Sequence, residues 1–391
     1  MWILTVLSWF PILFQPDSAV ILIENRLDLP RAEVISISSV ELEKVRGSKI
    51  GAVKISIQDS QTGKLVTTQP VDLNQDGIID ELLFWSEIGP KESRSYQVRF
   101  GESNLEEPKD NITTFVRFVP ERTDDIAWEN DKVAFRTYGP EAQRLTDEGL
   151  KGGTLTSGID GWLKRVGYPI IDRWYQKHVD GGSYHKDDGE GYDPYHVGAS
   201  RGIGGIGVLL GDSLYVSKNF IDYKILATGK LRSVFHLTYA PWQAGNITIQ
   251  ESKIITIDRG SQFFKMEIDL KSSKKIPNVT AGITLHEGNG VTEINRSLGW
   301  ISYWETIDNA ALGTGLLMAP KSIKSTFEKR SSKKDQSHLF VSFNPIKKIS
   351  YYAGFAWQKA GEIQTQEEWN NHLSEFSQKV NNPLRVKLAL K

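Results

Sequence analysis

The 391-residue chain contains no cysteine, which excludes disulfides, thiolate metal sites, a cysteine nucleophile and a lipid-modified N-terminal cysteine. Net charge is also almost absent: 47 basic and 48 acidic side chains leave a formal charge of -1. No global field therefore draws the protein to nucleic acid or to an anionic membrane surface, and any anionic ligand must be met by local charges. No apolar run is long enough to span a bilayer comfortably. WILTVLSWFPILF, near the N-terminus and followed by Ser18 and Ala19, reads as a secretory signal (residues 1–19) cleaved near Ala19, and predicts an exported, periplasmic or secreted protein. Aromatics, in contrast, are plentiful. Eleven Trp and thirteen Tyr supply flat apolar faces suited to a β-rich core and to stacking on sugar rings.

Short alternating segments dominate the remainder. From residue 20 to 108, AVILIENR, GAVKISIQD, LVTTQPVDL, ELLFWSEI and SYQVRFGE lie between Gly, Pro, Asn and Asp turns, which predicts a small N-terminal β-sandwich domain. Within it DLNQDGIIDEL sets Asp72, Asn74, Asp76 and Asp80 around Gly77, as at the start of a calcium loop. The closing carboxylate is missing, because Leu83 stands in its place, so a tight acidic turn is the better reading. Residues 109–391 continue as strands such as NITIQESKIITID and QFFKMEIDLK, whose period of two suits a large two-sheet sandwich. One helix is predicted near the end, where Thr365 and Glu368 form a capping box and Trp369, Leu373, Phe376 and Val380 share a face.

The stretch from Tyr184 to Gly207 is different. It crowds His185, His196, Asp187, Asp188, Glu190, Asp193, Arg201, Tyr184, Tyr192 and Tyr195 between glycines without helical or strand periodicity. Such a composition predicts an ordered functional loop rather than core. Polar residues also gather where other strands end: Arg136 and Tyr138, His286 and Glu287, Trp304 and Glu305. The acids of the loop are hard oxygen donors, yet no spacing matches an established metal motif, and no metal or cofactor is expected. Ser200 lacks a nucleophile elbow, and RGIGGIG lacks the ending of a nucleotide-binding loop.

Many ordered stretches, among them VDLNQDGIIDELLFW, VPERTDDIAWENDKVAFRTYGP, YPIIDRWY, SYHKDDGEGYDPYHVGASRGIGGIGV, ILATGKLRSVFHLTYAPW, AGITLHEG and AGFAWQKAG, together resemble the bacterial family called domain of unknown function 4861. Asp188, His196, Ile203 and His236 depart from that family's pattern and are poor candidates for an essential role. The resemblance implies a small N-terminal β domain followed by a galactose-mutarotase-like β-supersandwich. It also implies membership of a secreted polysaccharide-degrading system, since one member takes part in ulvan breakdown by dehydrating the terminal uronic acid of an oligosaccharide.

The expected activity is therefore a hydro-lyase reaction, the loss of water across C4 and C5 of a non-reducing-end uronate. That chemistry needs a cation for the carboxylate, a base for H5 and an acid for the departing 4-hydroxyl. His185, Tyr184 and His286 are the candidates for acid and base, and Arg201, or else Arg136, for the cation. Tyr138, Asp187, Glu190, Tyr195, Trp304 and Glu305 complete the expected substrate contacts. Two other classes fit the same residues: a non-catalytic glycan-binding protein that uses its aromatics as platforms, and a glycoside hydrolase or polysaccharide lyase in which Asp187 and Glu190 converge across a bond.

Overall fold

The computed structural model describes residues 18–390 apart from 52, 102–104, 107, 110, 287 and 345–347. The expected signal, up to residue 17, and Glu287 lie outside the described residues. The N-terminal unit packs a four-stranded sheet (Arg385–Leu390, Ser18–Glu24, Ser93–Phe100, Ile55–Asp59) on a three-stranded one (Arg31–Ser38, Glu81–Ile88, Thr68–Val71). Alternation drives it, since Ala19, Ile21 and Ile23 of the first strand are fully buried with Ile35, Phe84 and Val98. The strand Arg385–Leu390 runs antiparallel to Ser18–Glu24, so this unit contains both ends of the described chain. The expected boundary at residue 108 leaves that strand on the wrong side. Its half-buried Val386 and Leu388 pack on the N-terminal core, a pairing partner that local pattern cannot reveal.

The acidic turn folds on itself. Asp72 accepts from the backbone N–H of Gln75, Asp76 and Gly77, and Asp80 from Leu73 and Asn74. Its carboxylates thus satisfy the backbone donors of the turn.

The larger unit has three sheets. A nine-stranded sheet faces two five-stranded sheets, which a parallel bridge between Ile159 and Gly202 links to each other. One core joins all three, with Trp128 and Phe135 from the first small sheet, Ile206 and Ile283 from the second, and Phe235 and Phe264 from the large one. Along Ile247–Asp258 burial alternates residue by residue, the period that the sequence shows. The terminal helix runs Gln366–Asn381 with the Thr365/Glu368 capping box formed, and its Trp369 is fully buried. Three further helices, Ser39–Arg46, Pro140–Asp147 and Ile171–Val179, are too short to stand out as periodic patterns. The last of them positions the candidate site.

Candidate active site

The site is built at one end of the first five-stranded sheet. Arg136 on Ala134–Thr137 pairs in register with Asp160 on Asp160–Lys164, and that strand pairs in turn with Gly191–Tyr192. Gly191 has φ +113°, and a Cβ there would lie 2.0 Å from the Leu163 carbonyl, so only glycine permits the close approach. The approach delivers Asp193 to the sheet. The loop before it is closed by its own bonds: the Asp193 N–H donates to the Tyr184 carbonyl at 2.9 Å, and His185 Nδ1 meets the Asp193 carbonyl at 2.7 Å.

Beneath the loop lies a buried charge cluster. Arg136 Nε donates to Asp160 Oδ2 at 2.9 Å, Nη2 to Asp193 Oδ2 at 2.9 Å and Nη1 to the Tyr184 hydroxyl at 3.1 Å, while Tyr138 donates to Asp160 at 3.2 Å. Asp125 lies 3.6 Å from the same guanidinium. Each of the three aspartates keeps one oxygen without a hydrogen-bond partner among the described residues. Three carboxyls against the cations of Arg136 and Arg122 leave an excess of acid. Burial pushes Asp125 up to about 7 even though Arg136 and Arg122 oppose it, and burial with the Asp160 charge raises Asp193 as well. The cluster therefore holds protons that exposed carboxylates would release.

Above it, three groups surround Tyr184. The hydroxyl of this buried tyrosine accepts from Arg122 Nε at 3.0 Å. The rings of His185 and His178 lie 4.5 and 5.1 Å from the Tyr184 ring. Arg122 closes the short turn Pro120–Arg122, and Thr123 and Asp124 at positive φ reverse the chain so that Asp125 points inward. No carboxylate lies within ion-pairing distance of Arg122 among the described residues, and it is half-buried. His178 ends the helix Ile171–Val179, whose first turn is fixed by Glu129 accepting from the N–H groups of Ile170 and Ile171. Burial and the positive charge of Arg122 push the His178 pKa down. The Asp193 carbonyl can only accept, so His185 carries a proton on Nδ1 and presents Nε2 outward from a side chain that is 57% exposed.

The other expected residues are placed differently. Arg201 is only 2% exposed, and it donates to Ser157 Oγ, Thr156 Oγ1 and the carbonyls of Ala199 and Ile206. Its guanidinium is a buried hub of hydrogen bonds without a salt bridge among the described residues, and burial lowers its pKa to about 10. It offers no fork to a surface sugar. Arg136 is likewise enclosed by its aspartates. We expect Arg201→Lys to lose about 1–3 kcal/mol of stability, because an ammonium cannot reach all four acceptors, while activity per folded molecule is retained; urea unfolding and an assay at low temperature check both.

His286 is also committed. Its Nδ1 meets Glu305 Oε1 at 2.7 Å and its Nε2 the His196 carbonyl at 3.0 Å, so both nitrogens donate and neither is free for proton transfer. Burial lowers its pKa, but the Glu305 bond and charge outweigh that and the net shift is upward. Tyr195 packs edge-on against this ring at 4.5 Å. Trp304, on the opposite face of its strand from Glu305, packs with the terminal-helix cluster and is not brought to the site. Asp187 accepts from Arg165, Gly189 and Gly191, and Glu190 from Tyr168, Trp174 and Arg173. These acids brace the loop. No three metal-ligating side chains converge among the described residues.

Sequence reasoning missed Arg122, His178, Asp125 and Asp160. For the first and third, the turn-forming run E-R-T-D-D before a buried strand was the available signal.

The solved structure of a protein in the Glycosyl Hydrolase Family 38 from Enterococcus faecalis matches with a TM-score of 0.51 and 8% identity, over 96% of this chain and 48% of that one. An alpha-mannosidase from the same organism matches at 0.44 and 9%, over 97% and 46%. The chain thus spans about half the length of these solved structures, and the likeness concerns the fold alone. The chain belongs to the family described as Domain of unknown function (DUF4861), whose pattern matches residues 23–386. Uncharacterized protein P7 of Formosa agariphila is 44% identical over 377 residues, covering 95% of this chain and 94% of that protein. No helix among the described residues is long and apolar enough to cross a membrane.

Proposed function

We propose that the protein is an oligosaccharide dehydratase acting on a non-reducing-end uronic acid. The observation that supports this reading is the grouping of Arg122, His178 and His185 around the Tyr184 ring and hydroxyl. The reaction needs those three functions and no bound cofactor. Arg122, half-buried and with no carboxylate within ion-pairing distance among the described residues, takes the uronate carboxylate and stabilises its enolate-like form. Partial desolvation and the charge of Arg122 lower the pKa of His178, which favours the neutral imidazole that removes H5. His185, doubly protonated with its Nδ1–H held by the Asp193 carbonyl, delivers the Nε2 proton to the 4-hydroxyl. The C5–H and C4–O bonds break, C4=C5 forms and water leaves. Solvent then resets the two imidazoles.

The deciding assay uses saturated uronate-ended oligosaccharides of the ulvan type. Loss of one water in mass with new ultraviolet absorbance and no chain shortening is expected. Shortened chains would make the protein a hydrolase or polysaccharide lyase, and binding without product would make it a glycan-binding protein.

A pH dependence follows from the depressed pKa of His178. A base is lost only when protonated, so kcat/KM should persist below the ordinary histidine range and fall only as pH drops through the lowered value. In Arg122→Gln the depressing charge is gone, and the acid limb should move to higher pH, a displacement that a profile of kcat/KM against pH reads directly.

A further inference from the structure

Beside the loop, a cavity of about 540 Å³ opens between the helix Ile171–Val179 and residues 188–191. Its chemistry is that of a sugar cradle. Tyr168 is 45% exposed, and the guanidinium of Arg173 lies 5.5 Å from its ring centroid. Glu190 is fixed at the base by three donors: the Tyr168 hydroxyl at 2.8 Å, Arg173 at 2.6 Å and Trp174 Nε1 at 3.1 Å. Burial raises the Glu190 pKa, but these bonds bring it below the usual carboxylate value, so the acceptor stays ionised. Lys177 pairs with Asp188 and donates to the Lys186 carbonyl at 3.2 Å. That carbonyl belongs to the residue after His185.

We infer that this cavity binds a second pyranose unit of the same oligosaccharide, one step along from the terminal uronate. The apolar face of the ring lies on Tyr168, and its hydroxyls meet Arg173, which is paired with Glu190, and Lys177 and Asp188, which pair with each other. Lys177, which lines the cavity, also bonds the carbonyl of the residue after His185, so the cavity and the terminal site are joined through one side chain. This inference rests on the placement of the terminal uronate at Arg122 and His185.

The test separates the two ideas. In a His185→Ala background, calorimetric affinities are measured for methyl glucuronide and for a glucuronate-ended tetrasaccharide, with and without Tyr168→Ala. The expected result is a loss of roughly three- to tenfold for the tetrasaccharide and none for the methyl glycoside. Tyr168→Phe, which keeps the ring, should bind like the parent and controls for a disturbed fold. An unchanged tetrasaccharide affinity in Tyr168→Ala overturns the subsite even when the parent enzyme dehydrates the sugar. A selective loss supports it even when the parent dehydrates nothing. Equal losses for both ligands, or no binding of either, also overturn it.

Discussion

His185→Ala is expected to lower kcat by roughly two to four orders of magnitude, the usual worth of a positioned acid or base, with no change in melting temperature. The side chain is 57% exposed, and its Nδ1 bonds the Asp193 carbonyl at 2.7 Å and lies 3.5 Å from the Asp193 carboxylate. Removing it opens no cavity and leaves no buried donor behind. The effect should appear in kcat more than in KM, because the imidazole acts on the proton transfer and Arg122 holds the substrate. Added imidazole should restore part of the rate in His185→Ala, a rescue that a structural role would not show. Retention of more than roughly a tenth of the parent rate would remove His185 from the mechanism, since even the weakest general acid or base is worth more.

Arg136→Met should have the largest effect on stability, a loss of about 3–5 kcal/mol, as when one partner of a buried ion pair is removed. The methionine fills part of the space but leaves Asp125, Asp160 and Asp193 facing one another with Arg122 as the remaining nearby cation. The pH dependence has a definite sign. Burial raises the native pKa of Asp125 to about 7, against the pull of Arg136 and Arg122. The native state therefore keeps a proton that the unfolded chain releases, and this contribution is full below the unfolded value and is lost as pH rises through about 7. Removing Arg136 removes the main influence that lowers these carboxyls. The deficit of the variant should consequently be smaller at pH 5 than at pH 8, which urea midpoints of parent and variant at the two values measure. A deficit independent of pH would mean that the cluster is not where the energy lies.

The same cluster explains why the site was only partly legible. The stretch from Tyr184 to Gly207 stands out in the sequence, because glycines, acids and histidines without periodicity are not a core pattern. Alternation along Arg232–Tyr239 places His236 and Tyr239 on opposite faces, the first half-buried and the second buried. What the loop could not show was which of its groups face outward. Arg201 looked like a free cation between glycines, yet the close approach of Gly202 to the Ile159 carbonyl, with a virtual Cβ only 1.9 Å away, draws the chain inward and buries it. His286 looked available until its two nitrogens were found committed to Glu305 and the His196 carbonyl. Arg122 and His178 lie 63 and 7 positions before His185 in the sequence, and only packing around Tyr184 unites them.

By itself, then, the sequence determined the mostly β architecture, the capped terminal helix, the family and the loop at which ionisable side chains are concentrated, because each is written in local periodicity, turn residues or ordered stretches. Tertiary structure decided the rest: that the strand Arg385–Leu390 closes the N-terminal sandwich, that Arg136 neutralises buried aspartates and Arg201 binds backbone and hydroxyls, and that no carboxylate among the described residues comes within ion-pairing distance of Arg122. The physical reason is that charge on a side chain is fixed by composition, whereas its availability depends on neighbours brought from distant strands.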